Sequence, residues 1–137
     1  MSYVVEEIKT KKTEVIENKV DCSNVYVKEK PGMGDGAYAK RDIKMGELVE
    51  KGIVRIVDLD GNKNQYVFTW SEDRTVWAIG SGCATFYNTS RDNPNTKMVR
   101  FFDECRFEIY ALRDIKKDEE LTHRYRSIDW RTCFKDL

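Results

Sequence analysis

The residues able to do chemistry gather in two stretches, Gly82–Asn95 (GCATFYNTSRDNPN) and Glu119–Tyr125 (EELTHRY). The first passes from small residues into Phe86-Tyr87, breaks at Asn88-Thr89-Ser90, and breaks again at Pro94-Asn95. Asn and Ser side chains bond nearby backbone groups and Pro fixes φ, so both breaks have a local cause. A backbone held in such a path keeps N–H and C=O groups out of any ladder and free to face a ligand. The second stretch is acidic, then apolar, and ends in Tyr125. Each has a bland reading by itself. Asn88-Thr89-Ser90 fits a glycosylation acceptor, although no signal-peptide layout supports secretion. A tyrosine that ends a strand is commonly a packed aromatic with a wet hydroxyl.

The totals limit the partners. Lys+Arg and Asp+Glu both number 24, so no global basic field draws the chain to nucleic acid or an anionic membrane. A charged fraction of 35% with 12% aromatics is that of one globular domain with a real core. The apolar runs are too short for a membrane helix, and the expected location is intracellular. Cys22, Cys83, Cys105 and Cys133 lie far apart without a Cys-x-x-Cys pair, and His123 is the single histidine. Buried free thiols are expected, with no metal site.

The elements that must position these residues read as β. Residues 1–24 form an N-terminal extension whose apolar positions fit a loose helix or a short hairpin equally. Val25-Tyr26-Val27 is a strand by its β-branched and aromatic content. Gly32, Gly34 and Gly36 then alternate, without the spacing of a dinucleotide-binding fingerprint. Ala39-Lys40-Arg41-Asp42-Ile43-Lys44 recurs, displaced by 72 positions, as Ala111-Leu112-Arg113-Asp114-Ile115-Lys116. Each copy leads through a polar turn into Glu-Leu, which predicts two similar β corners. GIVRIVDLDG and NQYVFTW read as strands around an Asp-Gly turn, with Tyr66 and Phe68 on one face. SEDRTVWAIGSG predicts a turn or short helix, and Lys97–Ala111 a hairpin turning at Asp103-Glu104. In the tail, Trp130 and Phe134 stand four apart, as one helical turn would place them.

Taken in order, the two stretches resemble the signature motifs of the SET-domain lysine methyltransferases. That family has an Asn-His-Ser run followed by Pro-Asn, and later a Glu-Glu-Leu-Thr run ending in the catalytic Tyr. Asn88, Ser90, Pro94, Asn95, Glu119, Glu120, Leu121, Thr122 and Tyr125 match, while Thr89 stands where the family has His. The resemblance covers about Val25 to Phe134, and without flanking zinc modules it is most similar to the compact stand-alone SET proteins of large viruses. It implies a mostly β SET domain over residues 25–137: several small β-sheets of the β-clip type around a knot-like C-terminal segment, with few short helices.

It further implies methyl transfer from S-adenosylmethionine to a lysine amine of a protein substrate, histone H3 being one candidate, and a homodimer as one assembly. Tyr125 would be the catalytic tyrosine. Met33, Gly34, Asp35, Tyr66, Asn88 and Thr89 would hold the cofactor. Phe86, Tyr87, Trp130 and Phe134 would wall the lysine channel. Two alternatives stay open: Tyr66 as a cross-strand packing residue, and the tail as a docking helix instead of an aromatic lid. With Thr89 in place of His, a catalytically weak or inactive binding module of the same fold is the second reading.

Overall fold

The structure is a computed structural model that describes residues 6–9, 16–32, 34–64, 66–73 and 75–124. Ten strands appear among them: β1 Glu6–Lys9, β2 Val25–Lys30, β3 Gly34–Ala39, β4 Leu48–Val57, β5 Phe68–Thr69, β6 Trp77–Gly80, β7 Asn88–Thr89, β8 Thr96–Phe101, β9 Arg106–Ala111 and β10 Thr122–His123. Two 3-10 turns, Ala84–Phe86 and Phe102–Glu104, complete the set. The larger sheet has the order β1-β8-β9-β4-β6-β5, and two small sheets pair β2 with β3 and β7 with β10. This is the expected mostly β architecture of several small sheets.

Local pattern accounts for much of it. The β8–β9 hairpin turns where Asp103-Glu104 interrupts the alternation, and Cys105 takes the left-handed conformation that ends the turn. Three expectations are corrected. SEDRTVWAIGSG holds the expected turn at Glu72-Asp73 but follows it with the unforeseen strand β6, because Trp77 and Ala78 are buried against β4 and β5. NQYVFTW is a strand only at Phe68–Thr69, and Tyr66 lies in a turn held by its N–H on Asn64 Oδ1. Within the N-terminal extension, residues 6–9 add a strand parallel to β8. A single strand has no local partner to announce it, so its pairing is decided by the free edge of β8.

The two repeated corners clasp each other. Ile43 N–H donates to Ile115 O at 2.8 Å and Ile115 N–H returns to Ile43 O at 2.7 Å. Gly46 N–H bonds Ala111 O and Asp118 N–H bonds Ala39 O; Met45 N–H bonds Asp114 Oδ1 and Lys117 N–H bonds Asp42 Oδ1. Every bond has a counterpart 72 positions away. Gly46 and Asp118 both take positive φ, at 87° and 69°, so the same tight turn is built once with glycine and once with aspartate.

The second corner feeds residues 119–123 past two edges in succession. Ala39 N–H reaches Glu119 O and Leu121 N–H reaches Ala37 O along β3; Thr122 and His123 then lie parallel to Asn88 and Thr89. This is the knot-like crossing. Asn95 fastens it: its Oδ1 accepts Thr122 N–H at 2.8 Å, and its Nδ2 donates to Glu120 O at 2.7 Å and Glu119 Oε2 at 3.1 Å. Asn95 is 2% exposed, so its loss strands backbone groups away from water. Asn95→Ala is expected to lower unfolding stability in urea by about 2–4 kcal/mol. A change under about 0.5 kcal/mol, the range of an ordinary surface substitution, would refute this role.

Candidate functional site

The glycine turn of β3, the Asn88 loop and the 119–124 run converge. Asn88 Nδ2 donates to Glu120 Oε2 at 2.9 Å and lies 3.5 Å from the Asp35 carbonyl oxygen. Lys30 Nζ, at the end of β2, donates to Glu120 Oε1 at 2.7 Å. That hydrogen bond raises the Lys30 amine above its ordinary range. Gly36 makes the approach possible. A Cβ there would sit 3.1 Å from Glu120 Oε2 and 3.3 Å from Asn88 Nδ2, tighter than ordinary contact. Gly34, at φ 74°, supplies the left-handed turn just before. The cradle therefore offers both signs: a carboxylate and a carbonyl to a ligand cation or N–H, an amide and an ammonium to a ligand carboxylate.

The adjoining loop is anchored from beneath. Tyr87 is 1% exposed and its hydroxyl donates to Glu50 Oε1 at 2.9 Å. Cys83 N–H donates to Glu50 Oε2 at 2.8 Å. Glu50 points inward because β4 bulges between Leu48 and Glu50, which breaks the alternation after buried Val49. Burial pushes the Glu50 carboxyl up to about 7. Burial, then the nearby Glu50 charge, pushes the Cys83 thiol up to about 12.

The structure thus brings Asn88 and Asp35 together, with Gly34 one residue away on the same turn. Thr89 pairs through its backbone with His123, and Ser90 N–H bonds His123 O at 3.0 Å. Tyr66 is 59% exposed and turned to solvent. Tyr87 is in the core with its hydroxyl spent on Glu50, and its expected place on a channel wall is corrected accordingly. Phe86 is half-buried against the same core. Met33, Tyr125, Trp130 and Phe134 lie outside the described residues. The close approach expected at Gly36 is found, whereas sequence reasoning passed over Lys30 and the bonding role of Glu120. The last stood inside a matched motif, whereas nothing local marks Lys30, whose partner is 90 positions away.

His123 is 3% exposed and packs 5.5 Å from the Tyr87 ring. Burial, then the Arg100 charge, drives its pKa down to about 3. A depressed histidine leaves stability intact above its unfolded value near 6.5 and loses it as pH falls towards the folded value. The stability of wild type minus that of His123→Gln should therefore decline by up to about 1.4 kcal/mol per pH unit below about pH 6.5. Urea unfolding at several pH values checks it; a difference independent of pH would show that His123 is not held neutral.

The SET domain sequence profile matches residues 34–126. Over 117 residues, 76% of this chain, the sequence is 32% identical to Histone-lysine N-methyltransferase trr of Drosophila melanogaster, of which it spans 5%. It is 28% identical over 111 residues, 71% of the chain, to Histone-lysine N-methyltransferase ASHH3 of Arabidopsis thaliana, spanning 31% of that protein. It is 32% identical over 105 residues, 66% of the chain, to an H3 lysine-4 specific histone-lysine N-methyltransferase of Emericella nidulans, spanning 9% of it. Among solved structures, polycomb repressive complex 2 of Chaetomium thermophilum superposes with a TM-score of 0.59 at 25% identity, over 74% of this chain and 15% of that one. An autoinhibited ctPRC2 bound to S-adenosylmethionine gives 0.62 at 24% identity, over 78% and 16%. The chain belongs to the SET domain family.

Proposed function

We propose that this protein is a protein-lysine methyltransferase that uses S-adenosylmethionine. The observation that carries the reading is the convergence at Gly36 of Asn88 and Glu120, 32 positions apart, beside the Asp35 carbonyl. A cofactor with an amino-acid head group carries an ammonium and a carboxylate, and the two-signed cradle fits both. A side chain at position 36 would fill the space that Asn88 and Glu120 occupy. Glu120 and the Asp35 carbonyl would take the ammonium, and Asn88 and Lys30 the carboxylate. Gly34 leaves the backbone open at the turn. Thr89 would contribute main-chain atoms, and Met33, matched by position to the family's cofactor turn, would flank them.

When bound, the cofactor supplies an electrophilic methyl on a sulfonium. The chain's own task is alignment, which in favourable cases is worth on the order of 7–11 kcal/mol. Tyr125, two residues beyond β10, would orient the incoming amine with its hydroxyl, as the family's tyrosine does. Phe86 and the tail aromatics Trp130 and Phe134 would shield the amine from water, which favours its neutral form. The substrate is proposed to be a protein lysine inside the cell, with histone H3 supported by the names of the relatives. Thr89 in the His position favours one further reading, a binding module without activity.

Incubation with labelled S-adenosylmethionine and histones or total cell protein is expected to label lysine, and Tyr125→Phe to lower the rate at least about 100-fold. Absence of label on any lysine, or label unchanged in Tyr125→Phe, removes the assignment. Calorimetry separates the two readings, since the binding module should give no heat with the cofactor. Asn88→Ala should weaken cofactor binding about tenfold, the effect of losing one good hydrogen bond.

A further inference from the structure

Away from the cradle, the fold assembles a second cluster from three distant positions. We propose that Cys22, Glu50 and Cys83 bind one soft or borderline divalent cation, Zn²⁺ being the natural candidate. Their ligand atoms, two thiol sulfurs and one carboxylate oxygen, all lie within 4.8 Å of one another. A tetrahedral zinc with bonds of about 2.0–2.3 Å needs ligand atoms about 3.3–3.8 Å apart, so small side-chain rotations close the set. Thiolate sulfur with one carboxylate is a donor set that selects zinc over magnesium or calcium.

The surroundings are built for it. The segment carrying Cys22 is tied across β4 by paired bonds, Asp21 N–H to Lys51 O and Lys51 N–H to Asp21 O, each 3.0 Å. Gly82 takes φ 62° and has no Cβ; one there would stand 2.5 Å from Glu50 Oε2 and 3.4 Å from Cys22 Sγ. The bulge in β4 then delivers a carboxylate that is 1% exposed. Its partners are the Cys83 N–H and the Tyr87 hydroxyl, and no cation among the described residues pairs with it. A buried carboxylate without a countercharge is costly, and a dication would offset it. Cys22 and Cys83 are only half-buried, which gives an ion a way in and leaves one coordination position for water. Binding releases the two thiol protons, and the proton of Glu50 where its carboxyl is protonated, to solvent, and no bond to carbon or change of oxidation state is involved. The ion would pin the segment before β2 to the turn that leads into Tyr87 and Asn88.

Cobalt(II) reports such a site directly. The full chain, reduced, stripped with chelator and desalted without oxygen, is titrated with Co²⁺ alone. One equivalent is expected to give the near-ultraviolet thiolate-to-cobalt band and the intense visible bands of tetrahedral coordination, both abolished by Zn²⁺. C22S/C83S should lose the thiolate band while C105S, with circular dichroism as the check on folding, keeps it. Glu50→Gln should weaken Co²⁺ binding at least about tenfold. A wild type without the thiolate band, a C22S/C83S variant that retains it, or unchanged affinity in Glu50→Gln overturns the proposal. None of these readouts depends on methyl transfer.

Discussion

The structure depends on two short segments lying parallel, Asn88–Thr89 and Thr122–His123. Parallel neighbours cannot be joined by a tight turn, so each segment must arrive from a separate part of the chain. Two residue pairs of ladder hold them only weakly, and Asn95 supplies what the ladder lacks. From a buried position at the end of the Asn88 loop, its amide bonds Glu119, Glu120 and Thr122 of the second segment, and an unpaired amide there would be expensive. Whatever the cradle binds is therefore positioned by an asparagine that does not face it.

The paired corners set the direction from which the second segment arrives. Their bonds are reciprocal, Ile43 with Ile115 and Gly46 with Ala111 against Asp118 with Ala39. Each corner thus satisfies backbone groups of the other. The corner after β3 turns the chain into β4, and its counterpart after β9 turns it along the free edge of β3. The Glu120 carboxylate consequently faces Gly36 and Asn88, where Lys30 partly balances its charge. Half-exposed as that pair is, it fixes geometry more than it adds stability.

Beneath the Asn88 loop lies a harder electrostatic problem. Glu50 is buried by a bulge and anchors Cys83 and Tyr87, the residues that bracket the 3-10 turn before Asn88. A neutral carboxyl answers the cost of burial at low pH, and a bound cation answers it when the group is ionised. The thiols of Cys22 and Cys83 stand beside this carboxylate.

The sequence by itself determined the family motifs, the hairpin of β8 and β9, and the existence of two like corners. The hairpin and the corners follow from alternation and turn chemistry, which act over a few positions, while the motifs were read by their resemblance to the family. Asn88, Asp35 and Gly34 could be named from the resemblance to the family's motifs, although the bonds among Asn88, Glu120 and Lys30 could not. Only the tertiary structure decided that Tyr87 turns into the core and that residues 6–9 join the sheet through the edge of β8. It alone placed Cys22, Glu50 and Cys83 within a few ångströms of each other. The reason is that alternation fixes which side of a strand a residue takes, while a bulge, a register or a free edge reassigns it. Those are settled by packing between segments far apart along the chain.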